Sequence, residues 1–154
     1  MNDFLEKVKC FHEVFKAPVL ETPQIPSKER CDLRISLISE ELDEMKEAIE
    51  KGDVIEVADS LGDLMVVLCG SILEFGMGDK FDSIFENIHN SNMSKACSSH
   101  KEAIETLLHY KQKDGTEGVY KEEDGKWLVY RKEDNKVLKS VNYSPANLKD
   151  IIED

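Results

Sequence analysis

The sequence predicts a mainly α protein, an antiparallel bundle of about four to five helices carrying a small C-terminal β-hairpin. Three observations predict it. Apolar residues recur at helical spacing over most of residues 4–113; helix-capping residues stand at the breaks between those stretches; and short β-prone pieces with turn signals appear only after Gly115. At 154 residues the chain is long enough to bury a core in one compact domain. The expected organisation is a helical catalytic bundle over residues 1–114 and an appendage over 115–154, packed on it and not an independent domain.

Phe4, Leu5, Val8, Phe11 and Phe15 set the first helix, residues 4–16. Pro18, Pro23 and Pro26 then impose an extended connection. Ser27 is placed to cap a second helix that runs to Lys51 and stops at Gly52. Its core stripe is Ile38, Leu42, Met45 and Ile49. Asp53 is placed to cap a third helix reaching Phe75, and Leu61, Leu64, Met65, Leu68 and Ile72 give it a wide apolar face. Val66, Val67 and Cys69 carry that character almost all round, the pattern of a helix buried in a bundle. Asp79 opens a fourth helix through Phe81, Ile84, Phe85 and Ile88, and a fifth covers about His100 to Lys113. Val119-Tyr120, Trp127 to Tyr130 and Lys136 to Lys139 are the β-prone pieces of a hairpin or three-stranded appendage.

Composition excludes several classes. The net charge of −12 repels nucleic-acid backbones and anionic membranes and attracts divalent cations. Neither nucleic acid nor a membrane is expected as a partner. The apolar run Leu64 to Cys69 is too short to span a bilayer, and no signal peptide is visible, so the expected location is the cytoplasm. Cys10, Cys31, Cys69 and Cys97 share no CxxC spacing and read as reduced thiols. No Walker A loop, GxGxxG or Ser-His-Asp pattern offers another chemistry. None of His12, His89, His100 and His109 pairs at ligand spacing with another His or Cys.

Two acidic clusters remain. Glu40, Glu41 and Glu44 lie in SEELDEM; Glu56, Asp59 and Asp63 lie in EVADSLGD. At 3.6 residues per turn each cluster falls on one side of its helix. The short Gly52-Asp53 link makes the two helices antiparallel neighbours, and the clusters, comparably distant from that turn, face each other. No Lys or Arg occurs between residues 52 and 79 to neutralise the second cluster. Carboxylates set in an apolar helix are costly without a counter-charge, and Mg²⁺, or Mn²⁺ in its place, supplies one while keeping waters for phosphate. Such a site suits phosphate chemistry, with Glu40 and Glu41 as candidates to orient the attacking water. The alternative is a solvated acidic face, the reading that suits Glu47 and Glu50.

These residues resemble the all-α nucleoside triphosphate pyrophosphohydrolases, the MazG-like group that includes dimeric dUTPases and phosphoribosyl-ATP pyrophosphohydrolase. The pattern of that group is ExxE followed by ExxD. Glu41-Leu-Asp-Glu44 fits the first half, with Glu40 making a double Glu, and Glu56-Val-Ala-Asp59 fits the second. Another register places Asp63 at the final Asp and Ser60 at the Glu, so Glu56, Asp59 and Asp63 all stand as candidates. Phe11-His12 with Phe15 and Pro18, the signature His89-Asn-Ser-Asn-Met-Ser-Lys95, Val129-Tyr-Arg131, Val137-Leu-Lys139 and Asn142-Tyr-Ser-Pro145 resemble one MazG-like subgroup more closely, over nearly the whole chain.

The resemblance implies Mg²⁺ held by Glu41, Glu44, Glu56, Asp59 and Asp63. It implies cleavage of a nucleoside triphosphate between its α and β phosphates, to monophosphate and pyrophosphate, in nucleotide-pool cleaning. It also implies a homodimer or homotetramer, and nucleotide binding by Asn92 and Lys95, with Arg34 a further phosphate candidate beside Arg30. Two other readings stand: a pyrimidine-specific dUTPase-like or dCTPase-like enzyme, and a non-catalytic metal-binding regulatory module. Trp127 and Tyr143 read as core of the appendage.

Overall fold

The computed structural model describes residues 3–153. The elements in chain order are α1 (Asp3–Phe15), α2 (Lys28–Lys51), α3 (Val54–Glu74), a short 3₁₀ turn (Gly78–Lys80), α4 (Phe81–Met93), α5 (His100–Asp114), strands β1 (Gly118–Glu123) and β2 (Lys126–Arg131), and α6 (Lys149–Glu153). The fold is mainly helical with one two-stranded hairpin, as the sequence predicts. It falls into two compact units that divide between Asp82 and Ser83. The change of composition after Gly115 lies inside the second unit.

In the first unit the helix ends follow the local chemistry. The Ser27 hydroxyl accepts from the Arg30 amide, and Gly52 closes α2 in the left-handed region at φ 69°, its N–H directed to Ala48 and Ile49. One residue later the Asp53 carboxylate accepts from the amides of Ile55 and Glu56 and starts α3. This two-residue turn sets α2 and α3 side by side. The core is Leu5 and Val8 of α1 against Cys69 and Leu73 of α3, with Val19, Ile72 and Phe81 packed on it. Leu5 and Leu73, each 1% exposed, contribute about 1.5–3 kcal/mol apiece by burial. Burial also pushes the Cys69 thiol above its ordinary pKa, in keeping with its role as a small hydrophobe.

The proline-rich connection runs along the end of α3 and serves its free carbonyls. The Leu20 amide donates to Leu73 O at 3.0 Å, and the Gln24 amide to Phe75 O at 3.1 Å. Gly76 is obligatory here. Its φ is 70°, and a Cβ would fall 1.9 Å from Thr22 O.

In the second unit β1 and β2 pair antiparallel, Tyr120 opposite Val129 and Lys121 opposite Leu128. The hairpin packs on α5 through Cys97, Ala103, Val129 and Leu138, with Leu107, Tyr110 and Trp127 around them. The third β-prone piece reaches it only as a single bridge between Tyr130 and Val137. Glu102, buried on α5, ties the C-terminal segment down. It accepts from the Ser98 amide and hydroxyl and from the Ser140 hydroxyl, and these bonds outweigh its desolvation and hold its carboxyl below the usual range.

Two expectations about packing need correction. Of the stripe assigned to α2, Ile38 and Met45 are half-buried, but Leu42 and Ile49 are exposed; the buried residues of this helix are Arg34 and Ala48. And α3 is not enclosed in the single chain. Val54, Ile55, Leu61, Met65, Val66 and Leu68 all stand exposed, because α1 and α2 cover only part of its circumference.

Candidate active site

The α2–α3 turn brings the two acidic clusters together. The Glu41 carboxyl is pushed above its ordinary pKa, first by desolvation and then by the negative charges of Asp63, Glu44, Glu40 and Asp59. The charges of four of the predicted carboxylates therefore reach Glu41. Glu56 stands to one side, where with Glu44, Glu47, Ala48, Lys51 and Ser60 it lines a hollow of about 340 Å³. Ser60 is buried and donates to Glu56 O at 2.9 Å, as a helical hydroxyl does.

Burial is distributed differently from the sequence reading. That reading put the buried acids on α3, but Glu56, Asp59 and Asp63 are exposed. The desolvated one is Glu41 of α2. Its Oε2 is buried and has no hydrogen-bond partner. A buried carboxylate oxygen without a donor, facing four more carboxylates, is an unfavourable arrangement as it stands, and a divalent cation relieves it. The donor set is hard oxygen throughout, which suits Mg²⁺ or Mn²⁺. Among the described residues no three acids are already drawn close enough to enclose an ion.

Arg34 lies elsewhere. Its guanidinium is buried on α2 and donates to Glu74 Oε1 of α3; Arg30 joins it, Nε to Glu74 Oε2 at 2.8 Å. Both arginines thus cross to α3 and do not pair along their own helix. Glu74 is fully buried, and its two arginines outweigh desolvation to hold the carboxyl below the usual range. Gly70 makes room for this cluster, since a Cβ there would lie 2.5 Å from an Arg34 nitrogen and 3.0 Å from His12 Nε2. His12 is itself buried, its Nδ1 2.9 Å from Pro18 O. The sequence reading passed over Glu74. Its signal was a lone acid between Leu73 and Phe75 in an apolar stretch without Lys or Arg, which calls for a cation from another helix.

Asn92 and Lys95 belong to the second unit. Asn92 Oδ1 accepts from Lys95 Nζ at 2.6 Å, and the Lys95 carbonyl accepts from the Ser140 amide. Trp127 and Tyr143 are half-buried, Trp127 against the hairpin core and Tyr143 with its oxygen accepting from Ser91 Oγ.

An uncharacterized protein of Acanthamoeba polyphaga mimivirus is 46% identical over 43 residues, which is 28% of this chain and 17% of the viral one. The chain thus spans under a fifth of that relative's length. The phosphoribosyl-ATP pyrophosphohydrolase family matches residues 8–92, a stretch that holds both acidic clusters and more than half of the chain. On that match the chain belongs to the phosphoribosyl-ATP pyrophosphohydrolase family, within the MazG-like all-α nucleoside triphosphate pyrophosphohydrolases.

Proposed function

We propose that the chain is a metal-dependent nucleoside triphosphate pyrophosphohydrolase that releases pyrophosphate and leaves the monophosphate, in the service of nucleotide-pool cleaning. Family membership supports hydrolysis of a phosphoric anhydride bond. The single observation that carries the metal is Glu41 Oε2, buried and unpartnered among acids. In this reading Glu41, Glu44, Asp59 and Asp63 hold Mg²⁺ or Mn²⁺, with Glu56 at the edge of the set. The exposed aspartates of α3 are free to swing toward Glu41. A cation held there would supply positive charge against the phosphates and lower the barrier to breaking the anhydride.

The residues of the chain do the rest. Glu40 is exposed beside Glu41, and its carboxylate orients the attacking water and takes its proton. Lys95 and Asn92 are the nucleotide-binding candidates that the family resemblance implies. Arg34, already occupied by Glu74, acts as internal scaffold for α2, the helix that carries Glu40, Glu41 and Glu44.

The test is pyrophosphate release from a panel of canonical and modified nucleoside triphosphates with Mg²⁺ or Mn²⁺. The expected result is metal-dependent release with monophosphate as co-product. Turnover confined to one pyrimidine nucleotide would replace pool cleaning by a dedicated function; absence of release from the whole panel would leave a regulatory metal-binding module.

A second copy of the chain belongs to the same proposal. Val54, Ile55, Leu61, Met65, Val66 and Leu68 of α3 expose large apolar side chains, joined on α2 by Ile35, Leu42 and Ile49. Apolar surface of this extent on one helix pair is characteristic of a protein–protein interface. Sedimentation at micromolar concentration is expected to give a dimer or tetramer, and Leu61→Glu to shift it to smaller species. A wild-type monomer would refute this part.

A further inference from the structure

The hairpin lies beyond the residues that the family matches, and one of its two edges is open. The Lys132 amide donates to Glu117 O, which continues the β1–β2 ladder by one pair and fixes its alternation. Val119 and Lys121 therefore turn their backbone groups toward β2, while Gly118, Tyr120 and Glu122 turn theirs away. The far edge of β2 is closed. Trp127 exchanges both backbone bonds with Cys97, Val129 O accepts from the Leu138 amide, and the Arg131 amide donates to Lys136 O. On β1 the outward N–H and C=O groups of Gly118, Tyr120 and Glu122 have no partner among the described residues. Such an edge is a template for another strand.

Apolar surface flanks this edge. Val119 of β1 and Ile104 and Leu108 of α5 are exposed, and Leu108 and Val119 line a hollow of about 320 Å³ beside the strand. Side chains alternate along β1. Tyr120 turns to α5, its hydroxyl 2.7 Å from His100 Nε2, while Glu117, Val119 and Lys121 share the opposite face. A lysine on an edge strand wards off indiscriminate pairing, so charge decides which strand can add.

β1 itself meets that condition in one register. Like charges directly opposite each other across an antiparallel pair are destabilising, and opposite charges are favourable. Centred on Tyr120, a second β1 would set Glu117 against Glu123; centred on Lys121 or Glu122, it would set that residue against itself. Centred on Gly118, it would run off the strand at Thr116, whose amide is taken by Asp114 Oδ1. Centred on Val119, Lys121 of each copy faces Glu117 of the other, valine faces valine, and Gly118 and Tyr120 exchange their free backbone bonds. The present partners of Lys121 and Glu117, namely Glu123 and Lys132, are exposed ion pairs that rearrange at little cost.

We propose that β1 pairs antiparallel with β1 of a second copy, centred on Val119, and joins the two hairpins into one continuous sheet. The two-fold axis is normal to that sheet, so both α5 helices lie on the same face. Exposed Ile104 and Leu108, one helical turn apart, are thereby brought toward their equivalents. This interface is separate from the apolar face of α3 and does not depend on the hydrolase reading.

The test is site-directed cross-linking of the full chain. Cys10 and Cys31, the free cysteines that are not buried, are first replaced by serine. In the proposed register the two Val119 residues form a non-hydrogen-bonded pair with Cα atoms about 4.5 Å apart, within disulfide range. Val119→Cys, at an exposed position, is expected to give a covalent dimer with oxidised glutathione at micromolar protein, and Lys121→Cys is not. Adding Lys121→Glu to Val119→Cys should cut the yield several-fold, and Glu117→Lys on top of it should restore the yield. Cross-linking should also persist with Leu61→Glu, which disrupts the α3 face. No dimer from Val119→Cys, equal yields from positions 119 and 121, no recovery in the charge-swapped variant, or loss with Leu61→Glu would each overturn the inference.

Discussion

Glu41→Gln is expected to abolish metal-dependent pyrophosphate release while making the metal-free protein more stable. The first half follows from the position of Glu41 among Asp63, Glu44, Glu40 and Asp59. Loss of a residue merely behind a metal ligand costs about 10–100-fold, so loss of the central oxygen donor should exceed a hundredfold. The second half follows from the direction of its pKa. Folding raises the Glu41 carboxyl above its ordinary value, so between that value and the raised one the native state binds more protons than the unfolded chain. Stability is then full below the ordinary value and lost as pH rises through the raised one. Above the raised value the metal-free wild type carries the whole of that cost. An amide carries none of it.

Melting curves across pH, with and without Mg²⁺, check both halves together. The wild type should lose stability without metal as pH rises through the raised Glu41 value and regain it with Mg²⁺. The variant should show a flatter pH profile and little response to Mg²⁺. Such opposition between stability and activity marks residues kept for chemistry. A variant that melts lower than wild type without metal and still responds to Mg²⁺ would show that Glu41 is structural and that the ion, if any, is held elsewhere.

What could be read from the sequence was whatever is decided locally. The ends of α2 and the start of α3 are written in Ser27, Gly52 and Asp53, because a cap is satisfied by amides two or three residues away. The pairing of the acidic clusters was legible for a related reason, since a two-residue turn leaves the helices no choice of neighbour. Burial was not legible. Whether Glu41 or Asp59 loses its water depends on which faces α2 and α3 turn to each other, and helical periodicity fixes that only when one face is clearly apolar. Here α3 is apolar almost all round. Its pattern suggested enclosure, while the single chain leaves Val54, Leu61 and Val66 in water. Glu74 escaped notice because its partners, Arg30 and Arg34, come from forty or more residues away.

That ion pair carries the largest expected effect on stability. Glu74→Ala removes the carboxylate that Arg34 pairs with among the described residues, in a place where the Glu74 side chain is 0% and the Arg34 side chain 9% exposed. A buried guanidinium left without its counter-charge costs about 3–5 kcal/mol, more than most single substitutions. At about 2–4 °C per kcal/mol for a chain of this size, the melting temperature should fall by more than about 6 °C. Arg30 matters less, because its side chain is 31% exposed and can turn to solvent. The double variant Arg34→Met with Glu74→Leu should recover most of the loss, since an apolar pair of similar volume replaces a buried ionic one at little cost. Acid gives the same result without mutation. Glu74 is held below its ordinary value, so its contribution is present above that value and is lost as pH falls through the folded one. Wild-type protein should therefore lose this contribution under acid, and the double variant should not. If Glu74→Ala instead melts within a degree of wild type, α2 is positioned by something other than this pair. The orientation of Glu40, Glu41 and Glu44 would then need another source.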